Sequence, residues 1–117
     1  MEFRTDTPIY IQIGTQIKEN IVNGMLREGS KLPSVREMSA AYGVTALTVQ
    51  RAVAHLEREN IIQSKKGIGN FVCENASVIL RAQMIEQEAR DFITNMRYRG
   101  LTNRDIQILI QKEMEEI

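Results

Sequence analysis

The sequence predicts a mostly helical α+β chain, with an N-terminal winged helix-turn-helix over residues 1–74 and a C-terminal helical hairpin over 75–117. Three observations predict it. A capping signal at Ser34 and a glycine at Gly43 bracket one short helix, and a second amphipathic stripe follows at once. A lysine–glycine turn, Lys65 to Asn70, lies between two short apolar runs. Beyond Glu74 the pattern changes to apolar residues at four-three spacing.

The first element opens at Thr7-Pro8, which offers a cap and a first-turn proline. Tyr10, Ile13, Ile17 and Ile21 then recur at helical spacing as far as Gly24. Ile9, Ile11 and Ile13 also alternate, so pattern alone leaves a short strand open there. Gly14 weakens the helical reading slightly.

In Ser34-Val35-Arg36-Glu37 a hydroxyl and a carboxylate stand three residues apart, which predicts a capping box. Pro33 keeps Leu32 out of the helical region. This helix is expected to reach Tyr42 and to stop at Gly43, where a left-handed residue costs least. Thr45 caps the next helix, expected from about Thr45 to Glu59. Val49, Ala52, Val53 and Leu56 form its buried stripe. Leu47, Arg51, Ala54 and Arg58 lie opposite, with Gln50 and His55 on the flanks.

Two short helices joined through a glycine turn form a helix-turn-helix, whose second helix enters the major groove of duplex DNA. The residues placed to reach base edges are Thr45, Ala46, Leu47, Thr48, Gln50 and Arg51. Glutamine pairs with adenine, arginine with guanine, and an apolar side chain touches a thymine methyl. After Ile61-Ile62-Gln63-Ser64 come Lys65, Lys66, Gly67, Ile68, Gly69 and Asn70, then Phe71-Val72-Cys73 as a return strand. The lysines supply phosphate contacts, and Gly67 and Gly69 let the backbone approach closely.

Taken together, Pro8-Ile9-Tyr10, Leu32-Pro33-Ser34-Val35-Arg36-Glu37, Thr48-Val49-Gln50-Arg51-Ala52 and Gly67-Ile68-Gly69-Asn70-Phe71-Val72 resemble the GntR family of bacterial transcription regulators. The resemblance spans about residues 7–73 and implies a helix for the first element. It implies DNA contact by Arg36, phosphate contact by Ser34, and further contacts by Thr45, Leu47, Thr48, Gln50 and Gly67. Three positions depart from it. Ala46-Leu47 replace a frequent Asn or Arg, Asn60 stands where glycine is usual, and Met38 replaces a common leucine. Asn tolerates the left-handed conformation.

The tail reads as two helices. Val78, Ala82, Ile85, Ala89, Phe92 and Met96 form a seam, widened by Ile79, Leu80 and Ile93, and Gly100 ends the helix. Thr102 to Asp105 form another capping start, and Ile106, Leu109, Ile110 and Met114 form a stripe on the last helix. Both stripes are expected to build a homodimer interface, since small helical units usually need a partner. So short a tail resembles the YtrA subfamily, which implies dimerisation, repression and transporter genes as targets. Longer members carry a sensory domain or an aminotransferase-like domain.

Composition is neutral ground. The formal net charge is zero, although Arg36, Arg51, Arg58, Lys65 and Lys66 fall on the expected DNA side. No secretory signal or long apolar run occurs, so a cytoplasmic protein without a membrane partner is expected. The single cysteine, Cys73, is expected to be a buried free thiol, and the single histidine, His55, to face solvent or phosphate. No catalytic set, metal-ligand spacing or nucleotide loop is present, so neither an enzyme nor a cofactor is expected. Two other classes fit the same residues. One is a winged module that binds protein. The other is a regulator with an effector cleft between the wing domain and the tail, lined by Phe92, Met96 and Tyr98.

Overall fold

Ile13, Ile17 and Ile21 project from one side of the first helix, α1 (Ile9–Val22), and all three are buried. The computed structural model describes residues 1–117. The remaining elements are α2 (Val35–Tyr42), α3 (Ala46–Arg58), β1 (Ile62–Lys65), β2 (Gly69–Val72), α4 (Ala76–Tyr98) and α5 (Asn103–Glu116). The chain divides into two compact units, Met1–Arg81 and Ala82–Ile117.

In the first unit α1 and α2 both pack on α3. The expected stripe of α3, Val49, Ala52, Val53 and Leu56, is buried among the α1 isoleucines, Leu32, Met38, Ile61, Ile62 and Val72. Complete burial of a side chain such as Leu56 stabilises the fold by about 1.5–3 kcal/mol. Ala76 and Leu80 join the same core. The first unit therefore continues into α4, past the Glu74 boundary suggested by the change in sequence pattern.

The pattern that left α1 open to a strand resolves as a helix. Its N-cap is Pro8 with no side-chain cap bond, so Thr7 does not cap it. The Thr7 carbonyl instead accepts from Gln12 Nε2 at 2.8 Å. Gln12 is a buried polar residue that sequence pattern did not single out. Its amide also donates to the Arg4 carbonyl and accepts from the Arg4 N–H, each at 2.8 Å. A buried amide is tolerable because its polar atoms are satisfied.

The wing is a two-stranded antiparallel sheet in which Ile62 faces Val72 and Lys65 faces Gly69. β2 begins at Gly69, earlier than the Phe71 start expected from the apolar run, and Cys73 lies just beyond it. Residues 30–32 add a short third edge. The Val72 N–H donates to the Ser30 carbonyl at 2.9 Å, and the Leu32 N–H to Asn70 at 2.8 Å. Asn60 follows α3 with φ of 62°, the left-handed conformation expected of it.

The second unit holds most of α4 and all of α5. Thr102 and Asp105 form the expected capping box, and the Thr102 N–H holds the Asp105 carboxyl below its ordinary pKa. The seam residues Ala82, Ile85, Ala89 and Phe92 are exposed, as is Val78 in the first unit, while Met96, Leu109 and Ile110 are half-buried. Ile106 differs. It is 4 % exposed within a single chain, so its apolar surface is covered in folding and is not left for a partner.

Gly14 lies in the middle of α1, and an added Cβ would meet Leu56 Cδ2 at 3.7 Å, an ordinary contact. Gly14→Ala is expected to raise stability by about 0.5–1 kcal/mol through lower chain entropy. Urea unfolding checks this, and a destabilised variant would mean that α1 and α3 pack more tightly than the distance indicates.

Candidate nucleic-acid interface

The interface begins with two caps. Ser34 Oγ accepts from the Glu37 N–H at 3.0 Å, and Glu37 Oε1 accepts from the Ser34 N–H at 3.3 Å. This box fixes the start of α2 and leaves Arg36 exposed on its first turn. Gly43 closes α2 at φ of 68°. The Ser39 hydroxyl donates to the Val44 carbonyl at 2.5 Å, which ties the turn back onto α2. Thr45 then caps α3, accepting from the Thr48 N–H at 3.3 Å.

The buried stripe of α3 forces its other face outward. Ala46, Leu47, Gln50, Arg51 and Arg58 are exposed, Leu47 to 66 %. Thr48 is half-buried, and its hydroxyl pairs with that of Thr45 at 3.0 Å. The first turn thus presents an apolar tip at Leu47 and longer polar side chains one turn later.

His55, expected to face solvent or phosphate, keeps 34 % of its side chain exposed. It is half-buried against α1, where its ring meets Tyr10 edge-to-face at 6.0 Å. Its Nε2 lies 3.0 Å from Glu59 Oε1, and Lys18 Nζ lies 3.0 Å from Glu59 Oε2. The Arg51 guanidinium sits 4.4 Å from the centre of the Tyr10 ring.

The wing carries its own cations. Lys65 Nζ lies 4.5 Å from the Phe71 ring centre, within cation–π range. Lys66, Gly67 and Ile68 form the exposed tip, closed by the Ile68 N–H donating to the Lys65 carbonyl at 2.9 Å. Glu57 Oε2 accepts from the Ser64 N–H at 3.1 Å and ties α3 to the wing. Lys31, which sequence reasoning missed, pairs with Phe71 across the sheet edge and runs its aliphatic chain along Gly69. Its only sequence signal is a lysine just before Leu32-Pro33, and that says nothing about a strand forty residues away.

Electrostatics explain how a neutral chain presents a cationic surface. The ion pairs are Arg4–Asp6, Lys18–Glu59, His55–Glu59 and Arg90–Glu86. None takes Lys31, Arg36, Arg51, Arg58, Lys65 or Lys66, so no carboxylate neutralises those six charges. Cys73 is only half-buried, and its thiol is pushed up by burial and by the Glu57 carboxylate, which makes it a weak nucleophile near neutral pH. Tyr98, expected to line an effector cleft, is instead 93 % exposed. No group of His, Cys, Asp and Glu is placed to hold a metal ion. No helix is long and apolar enough to cross a membrane.

A capped helix-turn-helix with an exposed second helix and a cationic wing defines a winged-helix DNA-binding regulator rather than an enzyme. Residues 9–72 match the family described as bacterial regulatory proteins, gntR family, and the chain belongs to that family. It is 39 % identical over 101 residues to the HTH-type transcriptional repressor YtrA of Bacillus subtilis, covering 84 % of this chain and 78 % of the relative. A GntR family transcriptional regulator from Listeria monocytogenes has a similar structure. The TM-score is 0.76 at 34 % identity, covering 94 % of this chain and 98 % of the other. The DNA-binding domain of AraR in complex with operator ORX1 matches 62 % of this chain and 93 % of its own, with a TM-score of 0.58 at 26 % identity.

Gly69 has φ of 146°, and a Cβ there would stand 2.6 Å from Lys31 Cε. Gly69→Ala is expected to destabilise the wing by about 1–3 kcal/mol from backbone strain and to displace Lys31. Amide hydrogen exchange of residues 62–72 checks it. Unchanged protection would show that the strand relaxes freely.

Proposed function

We propose that this GntR-family regulator is a homodimeric repressor that reads a palindromic operator in duplex DNA. The observation that carries the reading is the exposed face of α3, flanked by unpaired cations on α2 and the wing. Arg36, Gln50 and Arg51 contact base edges, and Leu47 meets a thymine methyl. Ser34, Thr45 and Thr48 serve the phosphate backbone at the two helix starts, where free N–H groups favour anions. Lys65, Lys66, Gly67 and Gly69 bring the wing to the adjacent groove, with Lys31 beside them. The repressor name of the YtrA relative and the operator in the AraR complex support this reading. Cytoplasmic residence and transporter genes as targets, the latter implied by the subfamily resemblance, belong to the same reading.

Dimerisation rests on α4. Val78, Ala82, Ile85, Ala89 and Phe92 keep their four-three spacing and are exposed in the single chain, Val78 to 70 % and Ile85 to 58 %. A contiguous apolar row left in water marks an association surface. A second copy of the same helix fits a coiled-coil-like seam. Two copies would set two recognition helices on half-sites about one helical turn apart.

Arg36→Ala is expected to weaken operator binding by about 1–3 kcal/mol, measured by fluorescence anisotropy. Unchanged affinity would remove Arg36 from the interface. Ile85→Glu is expected to give a folded monomer in sedimentation and to lower operator affinity by about a hundredfold or more through lost avidity. A dimer that survives this substitution would place the interface elsewhere.

A further inference from the structure

Arg51 and His55 on α3 and Glu59 at its C-cap form one row, spaced four residues apart, and that row faces α1. Tyr10 and Lys18 stand on the opposing side of α1, two turns apart. Contacts run along the row. Arg51 lies over Tyr10, Tyr10 meets His55, His55 pairs with Glu59, and Glu59 pairs with Lys18. We infer that Tyr10 is a positioning residue that holds the Arg51 guanidinium in one orientation for reading a guanine in the operator half-site. This rests on the DNA-reading function proposed above.

The geometry carries the inference because of what holds the guanidinium. Its central carbon lies over the Tyr10 ring, 4.4 Å from the centre, attracted by the ring quadrupole. A cation–π contact needs no hydrogen-bond acceptor, so it spends none of the five N–H donors on one. Arg97, by contrast, spends its Nε–H on Asn103 Oδ1 at 3.0 Å, and Arg90 lies against Glu86 at 3.8 Å. Arg51 has neither a hydrogen-bond acceptor nor a carboxylate partner, yet it is held in place and exposed. A fixed guanidinium with an unspent fork is suited to the O6 and N7 atoms of guanine. Fixing it before binding also removes the entropy cost of ordering a long side chain on the DNA. Arg51 is the sixth residue of α3, within the stretch that reaches the groove.

The buttress behind the ring matters as well. His55 blocks Tyr10 from the side, and Glu59 fixes His55 while itself held by Lys18. The row is therefore anchored to α1 twice, at Tyr10 and two turns on at Lys18.

The test is selection of bound duplexes from a random DNA pool with the full-length wild type, Arg51→Ala, Tyr10→Leu, Tyr10→Phe and the Tyr10→Leu/Arg51→Ala double variant. Affinities are then measured on the most enriched duplex. Thermal unfolding of each variant reports folding separately. Arg51→Ala is expected to flatten the preference for guanine at one position of each half-site. Tyr10→Leu is expected to flatten the same position and to lower affinity about threefold to tenfold, consistent with freeing one long side chain. Tyr10→Phe keeps the ring and is expected to match the wild type. In the Arg51→Ala background, Tyr10→Leu is expected to cost nothing more. A merely structural Tyr10 would lower affinity evenly at all positions and equally in both backgrounds, which would overturn the inference. A uniform loss with a shallower salt dependence for Arg51→Ala would make Arg51 a phosphate contact and would also overturn it. Failure of the wild type to enrich any sequence would instead overturn the DNA-reading function on which the inference rests.

Discussion

Everything at the proposed interface depends on the burial of one side of α3. Val49, Ala52, Val53 and Leu56 are fixed against α1, Ile61 and Ile62, and a helix anchored on one face must expose the other. The anchoring sets the rotation of Leu47, Gln50 and Arg51, and the Thr45 cap sets where the helix begins. Loss of Leu56 alone would remove about 2–5 kcal/mol, a large part of the stability of a small domain. The exposed face of α3 is thus a consequence of core packing.

The second constraint is electrostatic. A chain of zero net charge offers little long-range attraction to DNA. This one keeps its interface cations unpaired and spends its acidic partners elsewhere, on Lys18 and His55 through Glu59 and on Arg90 through Glu86. Two of the interface cations, Arg51 and Lys65, are held by aromatic rings rather than by carboxylates. A ring restrains a cation without neutralising it, so position is gained and charge is kept.

Local signals in the sequence translated directly into structure. The Ser34–Glu37 box, the Gly43 stop, the Thr45 and Thr102 caps and left-handed Asn60 each act within a few residues, so the chain shows them without knowledge of the fold. Features that join distant segments were not legible. Nothing near Gln12 announces that its amide will bind Arg4 and Thr7, and nothing near Lys31 announces Phe71. The neighbours of His55 are hidden for the same reason. Its angle on α3 gives a flank position, but only the packing of α1 says what occupies that flank. Ile106 shows the limit for assembly. Periodicity marks an apolar stripe, and folding decides whether that stripe covers its own chain or waits for another. The cations of the site were visible as residue types, while their freedom from carboxylates required the whole ion-pair arrangement.

On the proposed function, two copies of this winged helix-turn-helix read one symmetric DNA site. Hydroxyl-radical footprinting on the highest-affinity duplex selected from a random pool, with the protein's mass in the complex determined alongside, tests it most directly. Two protected patches about one helical turn apart, related by two-fold symmetry, with two chains bound, are expected. A single asymmetric patch with one chain bound would rule out the symmetric dimer on DNA.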